Sequence, residues 1–305
     1  MCQTILQIES GGFGMSIIEA IFLGIIHGVT EILPVGSSGH LLIMNKVFGN
    51  ESIEVYYDIM LHLATIVAII VAFREDVINI IFEIGDMLKR IFANCLISIA
   101  RKKGDTRHTY VKVVDTAYKK LILMVLISIV PTAVLGIFGQ GVVQLVGGTI
   151  WIVGICFIVN GVMLFLIDRH PESLDRIMDV PYSSGFLVGM AQGVSVVPGI
   201  SRTAATISMG AFLGYNKKLA VKFSFIMAIP AIVGRVVYLL INAKGGSITM
   251  SLMPGYIIGM VLAGITGFFA LKLMLRLVMR KKYLGFAIYC VAIGIVTIVI
   301  SLVTK

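Results

Sequence analysis

Apolar residues along this chain gather into long unbroken runs rather than the alternating pattern of surface helices, and runs of about 20 such residues cross a bilayer. Stretches at about 56–73, 121–138, 145–167, 219–241, 256–278 and 284–302 each predict a spanning helix. Strands are excluded because an isolated strand cannot satisfy its backbone groups in hydrocarbon. Pro131 and Pro230 fall inside two of these runs and predict kinks.

Two further apolar stretches break off too early to span. The first, 17–33, runs into Pro34-Val35-Gly36-Ser37-Ser38-Gly39-His40 and resumes at Leu41. The second, 186–197, runs into Pro198-Gly199-Ile200-Ser201-Arg202-Thr203 and resumes at Ala204. Irregular backbone at membrane depth survives only where protein buries it or a watery cavity lines it, so both read as re-entrant helical hairpins. The two also match each other. Gly24, His27, Gly28, Pro34 and Ser37 recur as Gly189, Gln192, Gly193, Pro198 and Ser201, with one residue deleted before the proline. Paired interrupted segments in corresponding halves point to an internal repeat with a site near the midplane.

The fold expected is therefore an all-α integral membrane protein of about six transmembrane helices plus two re-entrant hairpins in an inverted repeat. A single polytopic domain covers 15–305, with halves at about 15–140 and 145–305. Residues 1–14 have neither a basic n-region nor a small-residue cleavage site, so they read as an N-terminal extension, disordered or upstream of the true start, rather than a signal peptide.

Composition agrees. The chain is 58% hydrophobic and 13% charged, with a mean hydropathy of +1.00; a soluble domain carries about 25% charge. The net charge of +9 does not imply a nucleic-acid partner, because the basic residues collect in connecting segments. The 74–120 loop, Arg280, Lys281 and Lys282 fall on the same side as the 168–181 loop when six spans and two hairpins are counted. That side is expected to be cytoplasmic, which places both termini outside. The first hairpin then enters from outside and the second from the cytoplasm. The cysteines (Cys2, Cys95, Cys156, Cys290) have no paired spacing and read as free thiols, three of them in apolar surroundings.

Charged side chains at membrane depth cost about 2.5–3.5 kcal/mol each on insertion scales, so charged and polar residues there need a reason. His27 and Glu31 are four residues apart, on one helix face, and Asp58 and His62 repeat that spacing. Arg202 is the only basic residue between Arg176 and Lys217. An arginine beside turn amides such as that of Gly199, small hydroxyl residues and a carboxylate make a phosphate site. The guanidinium fork matches phosphate oxygens, the carboxylate can hold a divalent metal, and hydroxyls and histidine offer a nucleophile or proton carrier. Plainer roles compete. Ser37, Ser38, Ser201 and Thr203 can simply cap the helices that follow each turn, Thr206 can pack, His62 can be a satisfied polar residue between helices, and Asp58 an interfacial acid. Glu31 and Arg202 resist such readings, since an unpaired buried charge is disfavoured.

These residues resemble a known family. Glu31-Ile32-Leu33-Pro34-Val35-Gly36-Ser37-Ser38-Gly39-His40 and Pro198-Gly199-Ile200-Ser201-Arg202-Thr203-Ala204-Ala205-Thr206 are similar to the two signature motifs of the undecaprenyl-diphosphatase family, also called BacA. Matches at 58–73 and 223–230 extend the resemblance from about Met15 to the C-terminus. It implies six spanning helices with two re-entrant hairpins, a bacterial plasma (inner) membrane location, and removal of the terminal phosphate of undecaprenyl diphosphate. That reaction recycles the carrier lipid for peptidoglycan and confers bacitracin resistance. By motif match, Glu31, Ser37 and His40 correspond to family catalytic residues, and Ser201, Arg202 and Thr206 to its phosphate-binding loop. A divalent cation, Mg²⁺ or Ca²⁺ with Mn²⁺ as a further option, is implied, with Glu31 as a ligand. Two departures stand out: His27 replaces a usual Glu or Gln, and Gly36 interrupts the usual serine run.

The expected function is hydrolysis of a polyprenyl diphosphate. Arg202, Ser38, Gly199, Ser201, Thr203, Thr206 and His27 would contact substrate, Glu31 would serve metal or proton, and either Ser37 or His40 would be the nucleophile. A lipid or small-anion transporter or flippase on the same inverted-repeat plan is the rival, although a carrier needs no nucleophile. Nothing in the sequence sets the oligomeric state; a dimer is one option.

Overall fold

The computed structural model describes residues 15–49, 54–103, 108–170, 176–243, 250–279 and 283–303; the extension expected at 1–14 lies outside them. The described residues form α1 Ile17–Ile32, α2 Ser37–Phe48, α3 Val55–Ala72, α4 Arg74–Lys102, α5 Ala117–Phe138, α6 Gln140–Gly147, α7 Ile150–Ile167, α8 Tyr182–Val194, α9 Arg202–Phe212, α10 Lys217–Asn242, α11 Met253–Met279 and α12 Leu284–Val303. Six of these, α3, α5, α7, α10, α11 and α12, are long and apolar enough to cross a membrane. The chain is a multi-pass, all-α membrane protein.

The hairpin helices are too short to cross. At 1.5 Å per residue, the 16 residues of α1 reach about 24 Å against a hydrocarbon core of about 30 Å. With 12 residues in α2, 13 in α8 and 11 in α9, the other arms are shorter still. A capping box fixes the start of α1: Ser16 accepts from the Glu19 amide at 3.2 Å and its own amide donates to the Glu19 carboxylate at 2.9 Å.

Each hairpin leans on a helix remote in sequence, α1 on α11 and α8 on α5, while α7 packs along α12. Small residues make the approaches close. A Cβ at Gly24 would lie 2.7 Å from the Gly259 Cα, and one at Gly189 would lie 2.7 Å from the Ser128 Cα. Gly24 and Gly189 are equivalent positions of the two hairpins, so the same small-residue device seats both arms.

The structure departs from the sequence reading in three places. Reading 74–120 as a loop misses α4, whose 29 residues carry exposed Ile78, Ile81, Phe82, Leu88, Phe92 and Leu96 on one side. Its polar side is tied down: Lys119 donates to Asp86 at 2.5 Å and to Asp115 at 2.7 Å, and Arg90 donates to Asp115 at 2.7 Å. The run at 145–167 is not one helix, because Gly148 and Thr149 divide α6 from α7. Cys156 and Cys290 are buried free thiols, but Cys95, on α4, is exposed; Cys2 lies outside the described residues. Pro131 and Pro230 sit within continuous helices.

Candidate active site

The two turns meet. Gly36 and Gly199 both adopt left-handed φ, 86° and 94°, a conformation that favours glycine. A Cβ at Gly39 would come within 2.8 Å of the Gly199 Cα. The Gly36 departure thus falls where the second turn presses on the first. Asn160, fully buried in α7, fastens the second turn: it donates to the Gly199 carbonyl at 2.6 Å and accepts from the Ser201 amide at 3.0 Å. The Ser38 hydroxyl accepts from the Gly199 amide at 3.3 Å.

At this junction Arg202 donates to one oxygen of Glu31 at 2.9 Å, and Ser37 donates a short hydrogen bond to the other. The side chains of Arg202 and Glu31 are only 14% and 9% exposed, so the pair is largely desolvated, and losing either partner leaves a costly unpaired charge. Arg202 is the first residue of α9, where helix amides add positive potential. No side chain caps the start of α2. Neither Ser37 nor Ser38 plays the capping role that position alone would allow.

The remaining residues divide. Ser201 is a true N-cap, accepting from the Ala204 amide at 3.2 Å. Thr203 reaches the Glu31 carbonyl only at 3.5 Å. Thr206 turns into the packing, bonded to the Arg202 carbonyl at 2.9 Å and to Ser224 at 2.5 Å. His40 has both ring nitrogens engaged, with the Gly36 carbonyl at 2.7 Å and the Tyr289 hydroxyl at 2.8 Å. Its ring packs edge-on against Phe157.

On the other side of Glu31 the structure assembles a group only partly visible in sequence. His27 is fully buried and neither ring nitrogen has a partner, at a cost of about 1–3 kcal/mol for such a group. His62 lies edge-on to it, ring centroids 4.8 Å apart. Asp58 binds His62 Nδ1 at 3.1 Å and accepts from Arg235 at 3.0 Å. Arg235 and Asn160 escaped the sequence reading. The available signal was a charged or amide side chain inside an apolar span, which is rare without a purpose.

A cavity of ≈ 850 Å³ opens beside the first turn, lined by Val29, Leu33, Val35, Phe286, Ile288 and Tyr289 among others. Tyr289 connects its wall to His40.

Comparisons with known proteins identify the family. A family model described as bacitracin resistance protein BacA matches residues 20–296. The chain is 33% identical over 288 residues to an undecaprenyl-diphosphatase of Desulfosudis oleivorans, covering 94% of this chain and 100% of that protein. It is 32% identical to a protein of the same description from Methanobrevibacter smithii, over 92% of this chain and 96% of that one. A third, from Methanococcus vannielii, is 32% identical over 89% and 95% of the two chains.

Proposed function

Because the chain belongs to the bacitracin resistance protein BacA family, we propose that it is an undecaprenyl-diphosphatase, an integral membrane hydrolase that removes the terminal phosphate of undecaprenyl diphosphate. The product, undecaprenyl phosphate, returns to cell-wall synthesis, and that recycling opposes bacitracin. The observation that carries the reading is Glu31 shared between the Ser37 hydroxyl and Arg202 across two hairpins. A carrier would have use for the arginine but none for a hydroxyl aligned on a carboxylate, and the relatives bear the name of a phosphatase.

In the reaction, Arg202 exchanges Glu31 for the terminal phosphate, which its planar fork can grip with two hydrogen bonds. The uncapped amides at the start of α2 face the same anion. Ser37 Oγ attacks the terminal phosphorus while its proton passes to Glu31. The bond to the bridging oxygen breaks, Glu31 passes the proton on to that oxygen, and undecaprenyl phosphate leaves. Water, deprotonated by Glu31, then attacks the phosphoserine, releasing inorganic phosphate and restoring the Ser37 hydroxyl. Arg202 offsets charge on the phosphoryl oxygens throughout. Ser37 is preferred over His40 because both nitrogens of His40 already have partners. Ser38, Gly199 and Ser201 shape the anion cradle, and Thr203 and Thr206 support it from α9. The apolar cavity beside Leu33 and Phe286 accepts part of the prenyl chain.

A divalent cation belongs to the reading, but the donor set is a poor match for Mg²⁺ or Ca²⁺, which want several oxygens. Among the described residues, Glu31 is the one carboxylate in the convergent group and the other two donors are imidazoles; Asp58 is taken by His62 and Arg235. No step is assigned to a hard ion here.

The location proposed is the bacterial plasma membrane with both termini extracytoplasmic. In a cysteine-free background, Lys103→Cys should resist an impermeant thiol reagent in intact cells while Asn242→Cys should react; the reverse pattern would invert the topology. The activity itself is tested by inorganic phosphate release from undecaprenyl diphosphate by the purified chain, with Mg²⁺, Ca²⁺ or Mn²⁺ supplied in turn. Folded protein that releases none under any of these conditions would defeat the proposal.

A further inference from the structure

Among the described residues, His27, Glu31 and His62 form the one group of histidine, cysteine and acidic side chains whose ligand atoms converge, all within 4.8 Å of one another. Convergence alone would say little. Three other features of the same group point to an ion. His27 is fully buried with both nitrogens unpartnered and its ring against that of His62. His62 is turned so that Nδ1 meets the Asp58 carboxylate at 3.1 Å and the Asp58 carbonyl at 2.8 Å, which puts the proton on Nδ1 and leaves the Nε2 lone pair for an ion. A carboxylate behind a histidine is the usual orienting partner of a metal-ligating imidazole. Arg235 in turn holds Asp58 at 3.0 Å.

Charge is consistent with this. Glu31 and Asp58 are balanced by Arg202 and Arg235, so with neutral imidazoles the group carries no net charge. A dication here would make the junction positive, beside the place where Arg202 would hold a diphosphate. Each Glu31 oxygen keeps a lone pair beyond the bond it already accepts.

We infer that His27, His62 and Glu31 form a three-ligand site for a borderline divalent transition-metal ion, of the Zn²⁺ or Co²⁺ kind, in preference to Mg²⁺ or Ca²⁺. Two imidazoles and one carboxylate favour such ions, whereas hard ions prefer all-oxygen surroundings. An ion at about 2.0–2.2 Å from each donor holds those donors roughly 3–4 Å apart, so the ligands close by about 1–1.5 Å on binding. Three protein ligands leave a position open for a substrate oxygen. The site deepens the hydrolase reading, but its test does not depend on turnover.

The test uses tag-free full-length protein in detergent, stripped with a chelator and titrated with Co²⁺. One equivalent should bind, with visible bands of a low-coordinate site containing nitrogen ligands. Zn²⁺ should bleach those bands, and a large excess of Mg²⁺ or Ca²⁺ should not. Asp58→Asn should weaken Co²⁺ binding by about 10–100-fold through loss of the orienting carboxylate. His27→Gln should abolish the bands, and His27→Glu should shift selectivity towards Mg²⁺. A wild-type protein that gives no stoichiometric Co²⁺ spectrum overturns the site, as does an unchanged spectrum in folded His27→Gln. Phosphate release that persists in metal-stripped protein with no Co²⁺ spectrum would overturn the metal site and leave the hydrolase reading standing.

Discussion

In the first hairpin the helix entering the turn carries the chemistry: His27 and Glu31 lie on α1, and Ser37 opens α2. In the second hairpin the position equivalent to His27 is Gln192, buried with its amide nitrogen on Thr132 at 3.3 Å. Its charge instead lies past the turn, at Arg202. The two arms share a seating glycine and a proline turn, yet one presents an anion with imidazoles and the other a cation at a helix start. The same glycine-and-proline pattern is used twice, and the chemistry arises only where the two unlike turns touch.

The sharpest way to break that complementarity is to remove one member of the Glu31–Arg202 pair. Arg202→Ala should lower turnover by about a hundredfold or more, and Arg202→Lys should restore only part of it, since lysine lacks the planar fork. Glu31→Gln should fall in the same range. Ser37→Ala should lose roughly 10²–10⁴-fold, the range for a positioned proton-transfer pair. His40→Gln should cost less than Ser37→Ala. Phosphate release measured beside thermal unfolding separates chemistry from folding. A His40 variant more impaired than the Ser37 variant, with equal stability, would reverse the assignment of the nucleophile.

The turns also differ in how they are fastened. Asn160 makes two good hydrogen bonds to the second turn, whereas Cys290 gives the first only a weak thiol contact to the Pro34 carbonyl at 3.7 Å. Asn160→Ala strands a buried carbonyl and a buried amide, each costing about 1–3 kcal/mol. It should therefore lower both melting temperature and activity, while Cys290→Ala should change activity little. Equal effects from the two would show that the second turn is not held by Asn160.

Sequence and structure agree best where one residue type dominates. Six spans are visible because long apolar runs have few other solutions in lipid, and the hairpins because Pro34, Gly36, Pro198 and Gly199 punctuate such runs. The break at Gly148 and Thr149 escapes notice because neither residue alters hydropathy much, and α4 because its charges hide a helical apolar stripe. At the site, Glu31 and Arg202 stand out as charged residues beside the two turns, and Ser37 as a hydroxyl next to one of them. The Asp58–His62 spacing is also visible, but it cannot reveal that His27 is the neighbour. Arg235 meets Asp58 across 177 residues, a separation over which no local pattern carries information.

A last difference lies behind the hairpins. The second rests on α5, which α4 braces through Lys119, Asp86, Arg90 and Asp115, while the first rests on α11. Hydrogen bonds from Lys119, joined by Arg90, hold the carboxyls of Asp86 and Asp115 below the ordinary range. A depressed carboxylate contributes stability that is complete above its unfolded-state pKa of about 3.9 and is lost as pH falls through the lower folded-state value. The brace should thus be intact from neutral pH to about pH 5 and should loosen only in stronger acid. Salt should weaken it, because these carboxylates are partly exposed. Asp115→Asn should raise hydrogen exchange across 74–102 at pH 7 yet leave phosphate release close to wild type, the smallest effect of the series. A loss of activity like that of Asn160→Ala would show instead that the brace on α5 is transmitted through α8 to the second turn.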